Sequence, residues 1–219
     1  MEKVVESILA AREGVDRLEA EIRRCTICRD HSIGPPLPRE PHPILALSSS
    51  ARVCIAGQAP GNLADLSGRP FTDPSGIRLR NWLGIGEDVF YDRTRIAIVP
   101  MGFCFPGTAG PKGDLPPRRE CRQNWHSAVF DRMPQIEVIL AVGHHAQQWH
   151  LKRRGSCFTG RPLSRIVEAW RAVLEETRDG PAVWPLPHPS WRNTGWILRN
   201  PWFEETLLPH LRRRIAELL

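Results

Sequence analysis

The cysteines of this sequence are the first residues whose spacing indicates chemistry. Cys25 and Cys28 form a CxxC pair, and Cys104 and Cys121 form a second pair with sixteen residues between them. Four thiolates from two distant segments suit a tetrahedral zinc ion or a four-iron cluster. A zinc ribbon would have a second CxxC pair, and the widely spaced Cys104 and Cys121 do not form one. Free thiols remain the alternative at this point.

Two further segments carry groups that suit a ligand site. GQAPG at residues 57–61 has two glycines around a proline, and its backbone N–H groups could hold an anion or an acyl oxygen. In GRPFTDPSG at 68–76, Phe71 is flanked by proline and polar residues, so its ring is available to stack on a planar ligand. Asp73 in that segment is also typical of a helix N-cap, and GQAPG of an ordinary strand-to-helix turn.

A third segment, HPSWRN at 188–193, places a titratable group in a stiff loop. His188 lies between two prolines that fix its backbone, as suits a positioned hydrogen-bond donor. A single histidine is more often structural. The tryptophan and arginine that follow in the same loop favour function.

Four apolar runs position these segments. Strands are predicted at 52–56, 95–99, 138–142 and 182–186, and residues 30–50 are predicted to be loop. Helices are predicted at 2–24, where Val5 and Ile8 belong to the apolar face, and at 75–85, 118–132, 144–153, 163–177 and 203–218. Strands that alternate with helices imply a parallel sheet with ligands at its carboxyl edge, which directs attention to loops 57–76, 100–117, 143–146 and 187–196.

We therefore predict an α/β fold: a single three-layer α/β/α domain with a central, mainly parallel four-stranded sheet over residues 1–219. Within it, 1–50 holds the N-terminal helix and the CxxC segment, and 51–219 holds the catalytic core. The chain has 219 residues, 41% hydrophobic and 25% charged, which fits one domain with a real core.

The net charge of +6 favours an anionic partner such as nucleic acid. No apolar run approaches the roughly 18 residues of a membrane span, and the N-terminus does not look like a signal peptide. We therefore expect a cytoplasmic protein, where thiols stay reduced and six cysteines point toward metal ligation or catalysis.

In this order, the segments resemble the uracil-DNA glycosylase superfamily, most closely its iron–sulfur branches, families four and five. GQAPG looks like the first motif, GEAPG in family four, and CTICRDH looks like the start of that family's cluster segment. Cys104 and Cys121 match its two later cysteines, about sixteen apart. GRPFTDPSG is nearer to family five, HPSWRN looks like the second motif, and LAVGHHA resembles the element between them. The resemblance covers about residues 25–196.

The resemblance implies a monofunctional DNA repair glycosylase. Such an enzyme flips uracil out of DNA and hydrolyses the N-glycosidic bond to leave an abasic site, and we expect it to act as a monomer. It implies a structural 4Fe-4S cluster on Cys25, Cys28, Cys104 and Cys121. It implies base contacts from Gly57, Gln58, Phe71 and His188, and DNA contacts from Ser190, Trp191, Arg192 and Asn193. Catalysis is then expected from Asp73, His188 and Gln58.

Two departures from the family pattern change these expectations. Gln58 and Ala59 leave the first motif without a carboxylate, and a glutamine can orient water but cannot take its proton. Asp73 is the nearest acid, so we expect it to orient the water and balance the sugar cation. Residues 99–103 contain no amide to read uracil, which predicts broader substrate use that extends to hypoxanthine or xanthine.

Two competing functions stay open. The missing carboxylate motivates a protein that binds deaminated bases in DNA without cleaving them, although Phe71, Asp73 and His188 together exceed what binding alone requires. A zinc-stapled scaffold or an electron-transfer domain explains the cysteines but gives HPSWRN no role.

Overall fold

A sheet of four parallel strands forms the centre of the fold. The computed structural model describes residues 2–219, and for residues 2–8 and Lys112 it describes the backbone alone. The strands are β1 (Val53–Ala56), β2 (Ile96–Ile98), β3 (Val138–Val142) and β4 (Ala182–Leu186). Their order is β2-β1-β3-β4, and every pair is parallel. All four predicted strands are confirmed to within one residue at each end.

Helices surround this sheet. In the described residues they are α1 (Glu2–Arg23), α2 (Ile27–Asp30), α3 (Asn62–Ser67), α4 (Pro74–Leu83), α5 (Glu87–Phe90), α6 (Arg119–Cys121), α7 (Ser127–Asp131), α8 (His144–Arg153), α9 (Leu163–Glu168), α10 (Trp170–Glu176), α11 (Thr194–Arg199) and α12 (Leu208–Ala216). A π-helical stretch joins α6 to α7, and another precedes α12. None of the helices described is both long and apolar enough to cross a membrane.

The strands are apolar on both faces because helices cover both faces of the sheet. In β1, Cys54 and Ala56 point into a core shared with α1, α7 and α8. Val53 and Ile55 point into a second core shared with α4, α5 and α12. This alternation of side chains along the strand confirms the predicted α/β architecture with a buried parallel sheet.

The N-terminal segment packs into the same core as the sheet. Val15, Leu18 and Ile22 of α1 are buried there, whereas Val5 and Ile8 lie outside the described side chains. Residues 31–50 are irregular, as predicted, apart from an antiparallel bridge between Ala46 and Ile98. The first fifty residues therefore contribute a pairing to the edge strand β2 and a helix, α1, to one layer of the fold.

One helix prediction and two loop predictions differ from the structure. The helix predicted at 163–177 is interrupted at Ala169, after which Trp170 stacks on Trp184 of β4 with ring centroids 5.7 Å apart. The loop predicted at 57–76 contains α3, which Gly68 ends in the left-handed conformation at φ 67°. Six residues are too few to show helical periodicity, so the sequence pattern did not reveal α3. Helix α11 likewise begins within the loop predicted at 187–196.

Candidate active site

A cavity of about 180 Å³ opens where β1 and β2 end. Its lining includes five of the predicted site residues: Gly57, Gln58, Phe71, Asp73 and His188. These residues come from three separate loops, and they meet because the carboxyl ends of parallel strands lie at one edge of the sheet.

Phe71 forms one wall of this cavity in an unusual backbone conformation. Its φ is +58°, the one positive value among the non-glycine residues that the structure describes. Its carbonyl oxygen accepts hydrogen bonds from the Tyr91 hydroxyl at 3.1 Å and from Arg80 at 3.4 Å. Gly57 leaves room for the ring, since a β-carbon there would lie 3.1 Å from Cζ of Phe71. Strain held in this way is common at functional sites.

Asp73 is the N-cap of α4, as the sequence indicated. Its Oδ1 accepts hydrogen bonds from the Ser75 hydroxyl at 2.6 Å and from the Gly76 N–H at 3.2 Å. Both donors reach the same oxygen, so Oδ2 keeps its capacity to accept. A β-carbon at Gly76 would lie 1.9 Å from the Phe71 carbonyl oxygen. Glycine is therefore required for Phe71 and Asp73 to share this turn.

His188 is oriented from both sides. Its Nδ1 accepts the N–H of Ser190 at 3.2 Å, which assigns the proton of the neutral ring to Nε2. The side-chain amide of Asn193 donates to the His188 carbonyl at 2.7 Å. Burial lowers the pKa of His188, the charge of Asp73 opposes this change, and Arg192 adds to it. At neutral pH His188 is thus a neutral ring with Nε2–H as a donor.

The rest of the 188–193 loop divides into anchored and exposed residues. Arg78 holds the loop through the Ser190 carbonyl at 3.1 Å. Trp191 is 73% exposed. Arg192 stacks over Trp191 and donates to the Pro111 carbonyl at 3.2 Å. Of the predicted DNA-contacting residues, Trp191 therefore projects outward, whereas the Asn193 amide is engaged inside the protein.

Gln58 belongs to a turn that is tied to the segment after β2. The Gly102 N–H donates to the Gln58 carbonyl at 3.0 Å, and the Met101 N–H donates to the Gly57 carbonyl at 2.9 Å. The two glycines of this turn, Gly57 and Gly61, do not have positive φ values. The turn leads into α3, which agrees with the alternative interpretation of GQAPG as a strand-to-helix turn.

One cavity residue was missed by the sequence analysis. Asp114 lines the cavity from the loop after β2. Its segment, GDLPP, reads as a turn, and nothing in the local pattern links it to Asp73 or His188. The position of the loop at the carboxyl edge of the sheet was the available signal.

The four cysteines that were predicted as ligands gather in one region. Cys28, Cys104 and Cys121 are buried and Cys25 is half-buried. A hydrogen bond with Cys121 lowers the pKa of Cys28 to about 7 against the opposing effect of burial. Burial raises the pKa of Cys104 to about 12, and the charges of Cys28 and Cys25 add to this rise.

This donor set of thiols fits a sulfur-ligated group, because the thiolate is the form that binds metal. In the described residues, no set of three or more His, Cys, Asp and Glu side chains is arranged as ligands of a single metal ion. The iron–sulfur cluster therefore stays a prediction.

The remaining two cysteines have different surroundings. Cys54 is buried in β1, where burial raises its pKa to about 12, as suits a core residue. Cys157 is exposed, and its Sγ lies 2.8 Å from Oε1 of Glu176.

Part of the basic surface is already paired within the protein. Arg212 donates to the Trp82 carbonyl at 3.1 Å, and Arg214 pairs with Glu137 at 2.8 Å. These two arginines of α12 are therefore engaged in contacts within the protein.

The sequence profile of the uracil DNA glycosylase superfamily matches residues 46–212. Because this match covers more than half of the chain, the chain belongs to the uracil-DNA glycosylase superfamily. The resemblance found in the motifs is confirmed at this level. Membership indicates a glycosylase that acts on deaminated bases in DNA, and it does not distinguish the branches of the superfamily.

Proposed function

We propose that the chain excises uracil from DNA by hydrolysing the N-glycosidic bond, without cleaving the strand itself. The single observation that carries the proposal is the convergence of Phe71, Asp73 and His188 on one cavity at the carboxyl edge of the sheet. Each of these side chains offers a different element of the reaction: a stacking surface, a negative charge and a neutral donor.

The cavity offers a flipped base one planar wall and one hydrogen-bond donor. The Phe71 ring stacks on the base, which offsets part of the few kcal/mol that unstacking requires. Nε2–H of His188 donates to the base and stabilises the negative charge that develops as the bond breaks. The Ser190 N–H keeps this tautomer in place.

Asp73 and Gln58 act on the other side of the bond. As the C1′–N bond breaks, positive charge develops on the sugar, and the Asp73 carboxylate stabilises it. The bonds from Ser75 and Gly76 fix that carboxylate at the end of α4. Asp73 also orients the attacking water, together with the Gln58 amide, which cannot remove its proton.

DNA binding follows from charge and from the exposed end of the loop at 188–193. Trp191 enters the gap that the flipped base leaves, and Arg192 reaches the phosphates beside it. Ser190 and Asn193 support the loop from inside. The net charge of +6 supplies the part of the affinity that weakens with salt. The enzyme acts as a monomer.

We also propose that Cys25, Cys28, Cys104 and Cys121 hold a 4Fe-4S cluster, which places the chain in an iron–sulfur branch. When bound, the cluster would be a structural cross-link between the CxxC segment and the segment 104–121, with no redox step in catalysis. The gathering of the four thiols supports this ligand set: Cys28 and Cys121 share a hydrogen bond, and the charges of Cys25 and Cys28 act on the pKa of Cys104.

The substrate range extends beyond uracil. The segment after β2 lines the cavity through Pro100 and offers no side-chain amide to read the edge of a base. A pocket without a paired reader discriminates less between bases, so hypoxanthine and xanthine are also accepted. A duplex panel in which uracil alone is released would overturn this extension.

The test is base release from an end-labelled oligonucleotide with a single uracil, followed by alkali to cut at abasic sites. Wild type is compared with His188→Ala and with Asp73→Asn, which keeps an oxygen to cap α4. We expect wild type to release uracil and each variant to be about 100-fold slower or more.

Asp179→Asn is the control, because its side chain is 90% exposed, and we expect it to match wild type. A shifted band specific to the uracil strand without any base release would instead establish a non-cleaving binder of deaminated bases.

A further inference from the structure

A second carboxylate stands at the mouth of the cavity. Asp114 is exposed there, and its Oδ2 lies 3.5 Å from where a β-carbon on Gly61 would be. Its loop is closed by a bridge between Thr108 and Asp114 and by the Leu115 N–H, which donates to the Gly107 carbonyl at 2.8 Å. The carboxylate is therefore held opposite the GQAPG turn by backbone pairing.

The same loop is held against the 188–193 segment. Arg192 donates to the Pro111 carbonyl, and a β-carbon at Gly113 would lie 3.1 Å from one of its terminal nitrogens. Asp114 is thus bordered by Arg192, which faces the DNA side, and by Asp73 within the cavity. His188 lines the same cavity. With a flipped base in the cavity, as proposed above, its sugar would lie at the mouth, beside Asp114.

Asp73 and Asp114 differ in their surroundings. Asp73 accepts two hydrogen bonds, whereas no hydrogen bond reaches the Asp114 carboxylate from the described side chains and backbone. Partial burial at the mouth of the cavity raises the pKa of the Asp114 carboxyl; the charge of Arg192 opposes this change, and the negative charge of Asp73 adds to it. Carboxylates whose environments differ in this way take different roles in acid–base catalysis.

We propose that Asp114 is the general base of the reaction and takes a proton from the attacking water. The oxygen of that water forms a bond to C1′, and the C1′–N bond breaks with its electron pair going to the base. One water proton moves to the Asp114 carboxylate and then to the departing base, which regenerates the carboxylate. Gln58 cannot take this proton, and Asp73 serves as the fixed charge.

This inference rests on the proposed function, so its test is designed to separate the two. Single-turnover release of uracil is measured against pH for wild type, Asp114→Asn, Asp114→Glu and the control Asp179→Asn. Wild type slows as the pH falls toward the raised pKa of Asp114, because the base becomes protonated. We expect Asp114→Asn to be 100- to 10,000-fold slower and to lose this acid limb.

Asp114→Glu keeps a carboxylate and is expected to recover part of the rate together with an acid limb. Thermal melting of Asp114→Asn should match wild type, since the carboxylate bonds to no described group. If wild type releases no uracil, the proposed function itself is wrong. If wild type is active and Asp114→Asn equals it, or is slow with an unchanged pH profile, Asp114 is not the general base.

Discussion

The base cavity and the cysteine region hold their side chains in opposite ways. At the cavity, Tyr91 and Arg78 donate hydrogen bonds to backbone carbonyls of the two loops. The side chains of Asp73 and His188 therefore remain available to a ligand. Among the cysteines, the side chains bond to one another and to the backbone, as in the Phe103 N–H that donates to Cys121 Sγ at 3.4 Å. Substitutions should therefore reduce activity in the first region and stability in the second.

Cys121→Ser should have the largest effect on stability. It removes a proposed cluster ligand, and its shorter side chain draws the acceptor away from the buried Phe103 N–H. We therefore expect loss of iron and a fall of more than about 4 kcal/mol in the free energy of unfolding. Denaturant unfolding and iron content measure the two effects. Cys157→Ser is the matched control, since that thiol is exposed. If Cys121→Ser and Cys157→Ser contain equal iron, Cys121 is not a cluster ligand and the contrast between the two regions is wrong.

Gly76→Ala should have an intermediate effect, and it should reduce stability and activity together. The added β-carbon meets the Phe71 carbonyl, so the turn must shift, at a cost of about 2–3 kcal/mol, and the Phe71 ring must move with it. We expect lower stability together with slower uracil release.

Gly14→Ala is the control, and we expect it to change stability in the opposite direction. Gly14 lies in α1 with nothing within 4 Å of the new β-carbon, so we expect a gain of about 0.5–1 kcal/mol in stability. If the melting temperatures of Gly76→Ala and Gly14→Ala shift in the same direction, the steric argument is wrong.

Trp191→Ala should have the smallest effect, and one confined to binding. The side chain is exposed, so stability should stay within about 0.5 kcal/mol of wild type. Affinity for a uracil-containing duplex should fall by about 1 kcal/mol as stacking is lost. Leu9→Ala, another exposed apolar residue, should leave affinity unchanged. Equal affinities for wild type and Trp191→Ala would exclude the tryptophan from the interface.

The sequence predicted the sheet and most of the cavity because both depend on local signals. Apolar runs mark buried strands, and Gln58 and His188 follow strand ends directly. Phe71 is marked by the composition of its own segment, GRPFTDPSG. Asp114 was not found, since it reaches the cavity through long-range contacts: the pairing of its own loop and the anchoring of that loop by Arg192. The break at Ala169 likewise depends on the packing of Trp170 against a distant strand.

The burial of α1 has a consequence for the order in which the chain can fold. Val15 and Ile22 share one core with Ile139 of β3 and Val183 of β4. Ribosomes add roughly 5–20 residues per second, so α1 waits on the order of ten seconds or more before β4 is synthesised. The CxxC pair that follows α1 waits as well, until the segment with Cys104 and Cys121 emerges. During synthesis, the apolar face of α1 therefore stays in contact with water until these later segments are made.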